Sequence, residues 1–181
     1  MRNTFPEFKS KAIMSMIKVF GIGSPFGEDQ IGWRVAEVIQ QRLLTRSSIH
    51  PYVQIECCDR PGTRLIELMQ NAPIVFLIDA VVTGSKIGTI HRLQNDEIHE
   101  FKGLLSTHHF GVAQALQIGD ALNMLPENVI LYGIEIGDIE FNTNISQSVS
   151  QAINQVAIQV KNEIIDLLVK MKGIDPNEIS R

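Results

Sequence analysis

A chain of 181 residues that is 44% hydrophobic holds enough apolar material for the core of one ordinary domain, which excludes wholesale disorder. Its net charge of −4 argues against nucleic acid as the main partner, and its longest apolar runs stop well short of the ~20 residues a membrane helix needs. Its two cysteines, Cys57 and Cys58, are adjacent, a placement that disulfide geometry disfavours, so both are expected to be reduced and the chain cytoplasmic.

Residues 1–16 are charged and carry no apolar segment of the secretory kind, so they read as an N-terminal extension in which Met14 or Met16 would serve as a natural start. Ile17 to Ile22 predicts a buried strand. It runs into the glycine-rich loop Gly21-Ile22-Gly23-Ser24-Pro25-Phe26-Gly27, then the acids Glu28 and Asp29. Glycines there permit a tight path and a close approach to the loop. From Ile31 the period becomes helical through Val35, Val38 and Ile39, ending near Arg46-Ser47-Ser48. Tyr52 to Cys57 predicts a second strand, and Pro61 opens a helix through Leu65, Leu68 and Met69. Pro73 to Val82 is the clearest strand, apolar on both faces as in the middle of a parallel sheet.

Thr83-Gly84-Ser85-Lys86 is a turn, and Ile87 to Leu93 reads as an edge or antiparallel strand. Ser106 or Thr107 is expected to cap a helix holding Val112, Leu116 and Leu122. Asn128 to Ile136 predicts another strand. Ser146 caps a long last helix with Val149, Ile153, Val156, Val160, Ile164 and Leu167 on one stripe, and Gly173 suits its C-cap. Strands alternate with helices. The expected fold is therefore α/β: a single domain over 17–172, with a mostly parallel twisted sheet flanked by helices on both faces in three layers, followed by a tail over 173–181.

In such a sheet, sites form at the carboxyl ends of the strands. Asp79 is the one charged residue between Pro73 and Val82 and needs a partner, either loop N–H groups or a cation. Glu28 and Asp29 follow the first strand at the same edge, where acids also complement a helix dipole. His108 and His109 sit at the start of the helix expected to follow Ser106-Thr107, as neutral ligands or as surface or capping side chains. Asp29, Asp79 and His108 come from three loops that should meet at one edge. Two carboxylates and an imidazole suit a transition metal with open positions, without selecting nickel over zinc or iron.

Other groups carry less. Gly21-x-Gly23 with Gly27 has its third glycine one place late for a dinucleotide loop, and the two acids would repel a pyrophosphate. Cys57 and Cys58 lack a nearby base. Glu135, near a strand end, reads as a further ligand or as an acid in a solvated or hydrogen-bonded role. Trp33 falls off the apolar stripe of its helix and would cover a loop or face a partner. His50, His91 and His99 form no constellation.

From Ile17 to the final helix the sequence resembles the nickel–iron hydrogenase maturation endopeptidases. The resembling pieces are Gly21-Ile22-Gly23-Ser24-Pro25 with Glu28-Asp29-x-Ile31-Gly32, then Ile78-Asp79-Ala80-Val81 with Ile87-Gly88-Thr89-Ile90. Ser106-x-His108-x-Phe110-Gly111 and Tyr132-Gly133-Ile134-Glu135 follow in the same order. Ser24 stands where asparagine is usual, and Gln30 where glycine is frequent.

The resemblance implies an α/β endopeptidase that removes a C-terminal peptide from a hydrogenase large subunit precursor, its partner. It implies Asp29, Asp79 and His108 as metal-contacting and catalytic residues, with nickel, supplied by the substrate, as the metal. No nucleic acid or membrane partner is expected. The competing reading is a non-enzymatic flavodoxin-like module that binds a nucleotide or a protein, supported by the glycine loop and the architecture alone.

Overall fold

The computed structural model describes residues 16–44, 49–101, 111–137 and 145–172. Five strands form one sheet: β1 (Ile17–Gly23), β2 (Val53–Asp59), β3 (Ile74–Val81), β4 (Ile90–Gln94) and β5 (Asn128–Glu135). Among the described residues five α-helices accompany them: α1 (Ile31–Leu44), α2 (Arg64–Met69), α3 (Asp96–Glu100), α4 (Val112–Ala121) and α5 (Gln147–Lys172). The strand order is β2-β1-β3-β5-β4, with β4 alone antiparallel.

The residues of β3 explain the three layers. Ile74, Phe76 and Ile78 face one side and Val75, Leu77 and Val81 the other, because side chains alternate along a strand. The first face is covered by α1, through Ile31, Val35, Ile39 and Leu43, and by α5, through residues such as Val149, Val156, Val160 and Ile164. The second is covered by α2, α3 and α4, through Leu65, Met69, Ile98, Val112 and Leu116. Each fully buried aliphatic side chain contributes about 1.5–3 kcal/mol, so this stripe rather than helix propensity holds α5 in place.

Lys18 is the one charge on β1. Its Nζ donates to the carbonyls of Leu68 and Gln70 at 2.8 and 2.9 Å, satisfying the open end of α2.

The single domain, its mostly parallel sheet and its two-sided helical cover are as expected, with local differences. The edge strand begins at Ile90, because Ile87 and Gly88 form a turn with Gly88 at φ +87°. Pro61 lies in the turn before α2, its carbonyl accepting from Arg64 N–H at 3.1 Å. Five-residue α3 was not expected, since one turn carries no readable period. α4 starts at Val112 with Gly111 as its N-cap, where the Gln114 side-chain oxygen accepts from Gly111 N–H at 2.9 Å. Ser106 and Thr107, the expected caps, lie outside the described residues, as does Gly173. Leu122 falls at the C-cap of α4 and is exposed, and Leu168 rather than Leu167 completes the buried stripe of α5.

Candidate active site

The sheet order reverses at β1. The chain leaves β1 for β2 on one side and later returns for β3 on the other, so a crevice opens between the carboxyl ends of β1 and β3. Asp29 and Asp79 flank it. Asp29 sits in a 3-10 turn, Gly27–Gln30, that packs against β3. Its backbone is pinned to the end of β1, where Ser24 N–H donates to Asp29 O at 3.2 Å.

Here the glycines find their reason. A Cβ on Gly23 would lie 2.2 Å from Asp29 O, and one on Gly21 would lie 2.2 Å from Gly32 O. A Cβ on Gly32 would reach Ile22 O at 2.0 Å. The close approach that these glycines permit is made by the chain's own backbone, where β1 meets the 3-10 turn and the start of α1. The glycine loop therefore gives no support to a nucleotide module.

Asp79 is partly buried near the end of β3, and its carboxylate accepts from its neighbour Ala80 N–H at 2.9 Å. Its pKa is held well above the usual carboxylate range, first by burial and second by the negative charge of Asp29, against the pull of that N–H. The charge of Asp29 thus reaches Asp79 at this edge and opposes its ionisation.

His108, the third expected member, lies outside the described residues. Among the described residues no group of three or more His, Cys, Asp or Glu side chains could hold a metal ion. The Asp29–Asp79 pair is therefore the described part of the expected trio.

The other acids at this edge do different work. Glu28 turns away from the crevice. Its carboxylate accepts from Ser146 N–H at 2.9 Å and Gly137 N–H at 3.4 Å, tying the turn to the end of β5 and the start of α5. Ser146 itself caps α5, its Oγ accepting from Val149 N–H at 3.4 Å.

Glu135 is 1% exposed. It accepts from the backbone N–H groups of Thr83, Gly84 and Ser85, from the Thr83 hydroxyl, and faces His91 Nε2 at 3.3 Å. Burial alone would raise its pKa. The donors from Thr83, Gly84 and His91 outweigh burial and lower it. Of the two roles expected for Glu135, the geometry gives the hydrogen-bonded one.

Trp33, expected to cover a loop or face a partner, reaches strand β2 instead: its Nε1–H donates to Cys58 O at 3.0 Å. Burial pushes the Cys58 thiol up to about 11 and, with the charge of Glu37 adding, raises that of exposed Cys57, so neither is a ready thiolate.

Arg60 was not singled out by the sequence. It holds φ +39° after β2, donates its N–H to Gly23 O at 3.1 Å and pairs with Asp59 at 2.7 Å. It lies close enough to Asp29 to feel its charge, though Asp59 dominates. Only its conformation marks it, and a non-glycine residue at positive φ is invisible to pattern reading.

Two clefts of about 220 and 310 Å³ lie at the opposite edge, around Leu125 and Pro126, and contain neither Asp29 nor Asp79. No helix among the described residues is long and apolar enough to cross a membrane.

The same architecture occurs in known proteins. The hydrogenase maturating endopeptidase HybD of E. coli superposes with a TM-score of 0.68 at 24% identity, over 86% of this chain and 93% of that one. The [NiFe] hydrogenase maturation protease HycI of Thermococcus kodakarensis KOD1 does so at 0.60 and 21%, over 83% and 92%. At such identities the likeness establishes the fold. The hydrogenase expression/formation protein HupD of Thiocapsa roseopersicina is 29% identical over 122 residues, 66% of this chain and 53% of that protein. The chain spans about half to two thirds of the length of the curated relatives it matches. The family model HycI, described as hydrogenase maturation protease, matches residues 34–163, a stretch that begins after Asp29 and includes Asp79 and His108. With well over half its length matched to that model and its fold shared with the solved proteases, the chain belongs to the hydrogenase maturation protease family.

Proposed function

We propose that the protein is an endopeptidase that removes a C-terminal peptide from the nickel-loaded large subunit precursor of a nickel–iron hydrogenase, in the cytoplasm. The observation that carries this reading is the Asp29–Asp79 pair: two carboxylates of like charge at the switch point of the sheet, with Ala80 N–H the one donor to Asp79 among the described residues. Such a pair suits a cation. With His108 it would supply two oxygens and one nitrogen, a set that leaves coordination positions open. The nickel is part of the substrate in this reading. Held there, it would polarise a nearby carbonyl or activate water.

The protein's own part is to fix the register of the precursor and to orient the two carboxylates. Gly23 and the Ser24–Asp29 bond hold Asp29 from one side, and the β3 ladder holds Asp79 from the other. Because the binding set is incomplete until the partner brings its metal, premature cleavage is disfavoured by weak binding.

The test is to prepare the precursor with and without nickel and expose both to metal-free enzyme in the presence of a chelator. Cleavage of the loaded form alone is expected. Equal cleavage of the two would sink the mechanism and point to an ordinary peptidase.

A further inference from the structure

To reach β4, the chain leaving β3 must cross the carboxyl end of β5, and Glu135 holds that crossing from below. Glu135 Oε1 accepts the N–H groups of Thr83, Gly84 and Ser85 at 2.7, 2.9 and 3.1 Å. Its Oε2 accepts the Thr83 hydroxyl at 2.8 Å. The far end is fixed as well: Gly88 N–H donates to Glu135 O at 2.9 Å, and Glu135 N–H donates to Thr89 O at 2.9 Å. Gly88 lies so near α5 that a Cβ there would stand 2.9 Å from Ser148 O.

A connection tied at both ends has little freedom left, yet it turns apolar side chains outward. Val82 is 48% and Ile87 43% exposed. Phe26, 44% exposed, stands on the loop that leaves β1, on the other side of the crevice. Val82 is three residues beyond Asp79, so the connection leaves the strand end that carries this acid. A surface ordered in advance costs a partner little conformational entropy on binding. The neighbouring acids favour an occupant that brings a cation beside its apolar residues.

Resting on the endopeptidase reading above, we propose that the 82–88 connection is a pre-ordered docking rim for the extended segment of the precursor that flanks the bond to be cut. Val82 and Ile87 receive apolar side chains of that segment. Glu135 is the positioning residue: it does not touch substrate and acts through the turn it holds.

The experiment is steady-state cleavage of nickel-loaded precursor, with thermal melting of each protein, for wild type, V82S/I87S, E135Q and E135A. In V82S/I87S, KM should rise about tenfold, as when two half-exposed aliphatic side chains stop burying against a partner, with kcat and melting nearly unchanged. E135Q keeps an oxygen for the three N–H groups and should hold KM near wild type, whereas E135A should raise it. An unchanged KM in V82S/I87S overturns the rim while leaving the endopeptidase reading in place. A KM in E135Q raised as far as that of V82S/I87S overturns the positioning role, whether or not E135A folds. Absence of cleavage by wild type overturns the endopeptidase reading and the rim with it.

Discussion

Asp79 and Glu135 stand near the carboxyl ends of neighbouring strands, in a register that pairs Val81 with Glu135. Both are acids set into apolar surroundings, and burial opposes ionisation in both. They end on opposite sides of the ordinary carboxylate range. Glu135 meets three backbone donors, a hydroxyl and an imidazole, and stays charged easily. Among the described residues Asp79 meets one N–H and the charge of a second carboxylate. The difference teaches that burial does not decide what a buried acid is for. The donors around it do: a saturated carboxylate is architecture, and an undersupplied one is open to a ligand.

The comparison breaks most visibly at Asp79. Asp79→Asn keeps the shape and the acceptor for Ala80 N–H but removes the charge. Precursor processing should fall by about 100-fold or more, as when a metal-binding group is lost. Stability should move the other way. The folded pKa of Asp79 lies above its unfolded value, so the wild type loses stability as pH rises through the unfolded value toward the folded one. The variant should therefore melt higher than wild type at neutral pH and converge with it in acid. A variant that melts lower at neutral pH would show that the carboxylate is satisfied after all.

Glu135 should respond with the opposite sign. Glu135→Ala strands three N–H groups and should cost about 3 kcal/mol, or ~6–12 °C in melting temperature. The folded pKa of Glu135 is depressed, so its contribution is present above the unfolded value and is lost as pH falls through the folded one. The melting gap between wild type and E135A should therefore narrow in acid, measured as two melting curves against pH. A gap independent of pH would mean that packing, not charge, is what Glu135 supplies.

The smallest effect is expected at the cysteines. With Cys58 pushed up to about 11 and Cys57 also raised, neither thiol is readily ionised, and C57S/C58S should process precursor at the wild-type rate. Loss of turnover with precursor binding intact would argue for covalent catalysis.

Much of this fold was legible because the central strands β3 and β5 hold long apolar runs. Ile74 to Ile78 could only be a strand buried on both faces. Asp79 was legible for the same reason, as a single acid in an apolar stretch. What pattern could not reveal was the partner of each acid. Glu28 reaches Ser146 and Glu135 reaches Thr83, each across a long span of chain, and no local period records a hydrogen bond of that kind. The glycines misled in an instructive way. Gly21, Gly23 and Gly32 announced a close approach correctly, but sequence does not say what approaches, and it proved to be the chain's own backbone. α3 and the cap at Gly111 escaped because one turn is shorter than any readable period.

The length of α5 gives the molecule a practical handle. It is capped by Ser146, held by Glu28 on the same turn that carries Asp29, and runs 26 residues from Gln147 to Lys172. At 1.5 Å per residue the far end stands about 39 Å from the crevice edge. A fluorophore or surface tether placed at exposed Lys170 or Met171 would sit at the opposite pole from the docking rim. Precursor binding could then be followed on immobilised protein with the crevice facing free solvent, and with the reporter too distant to touch the incoming chain.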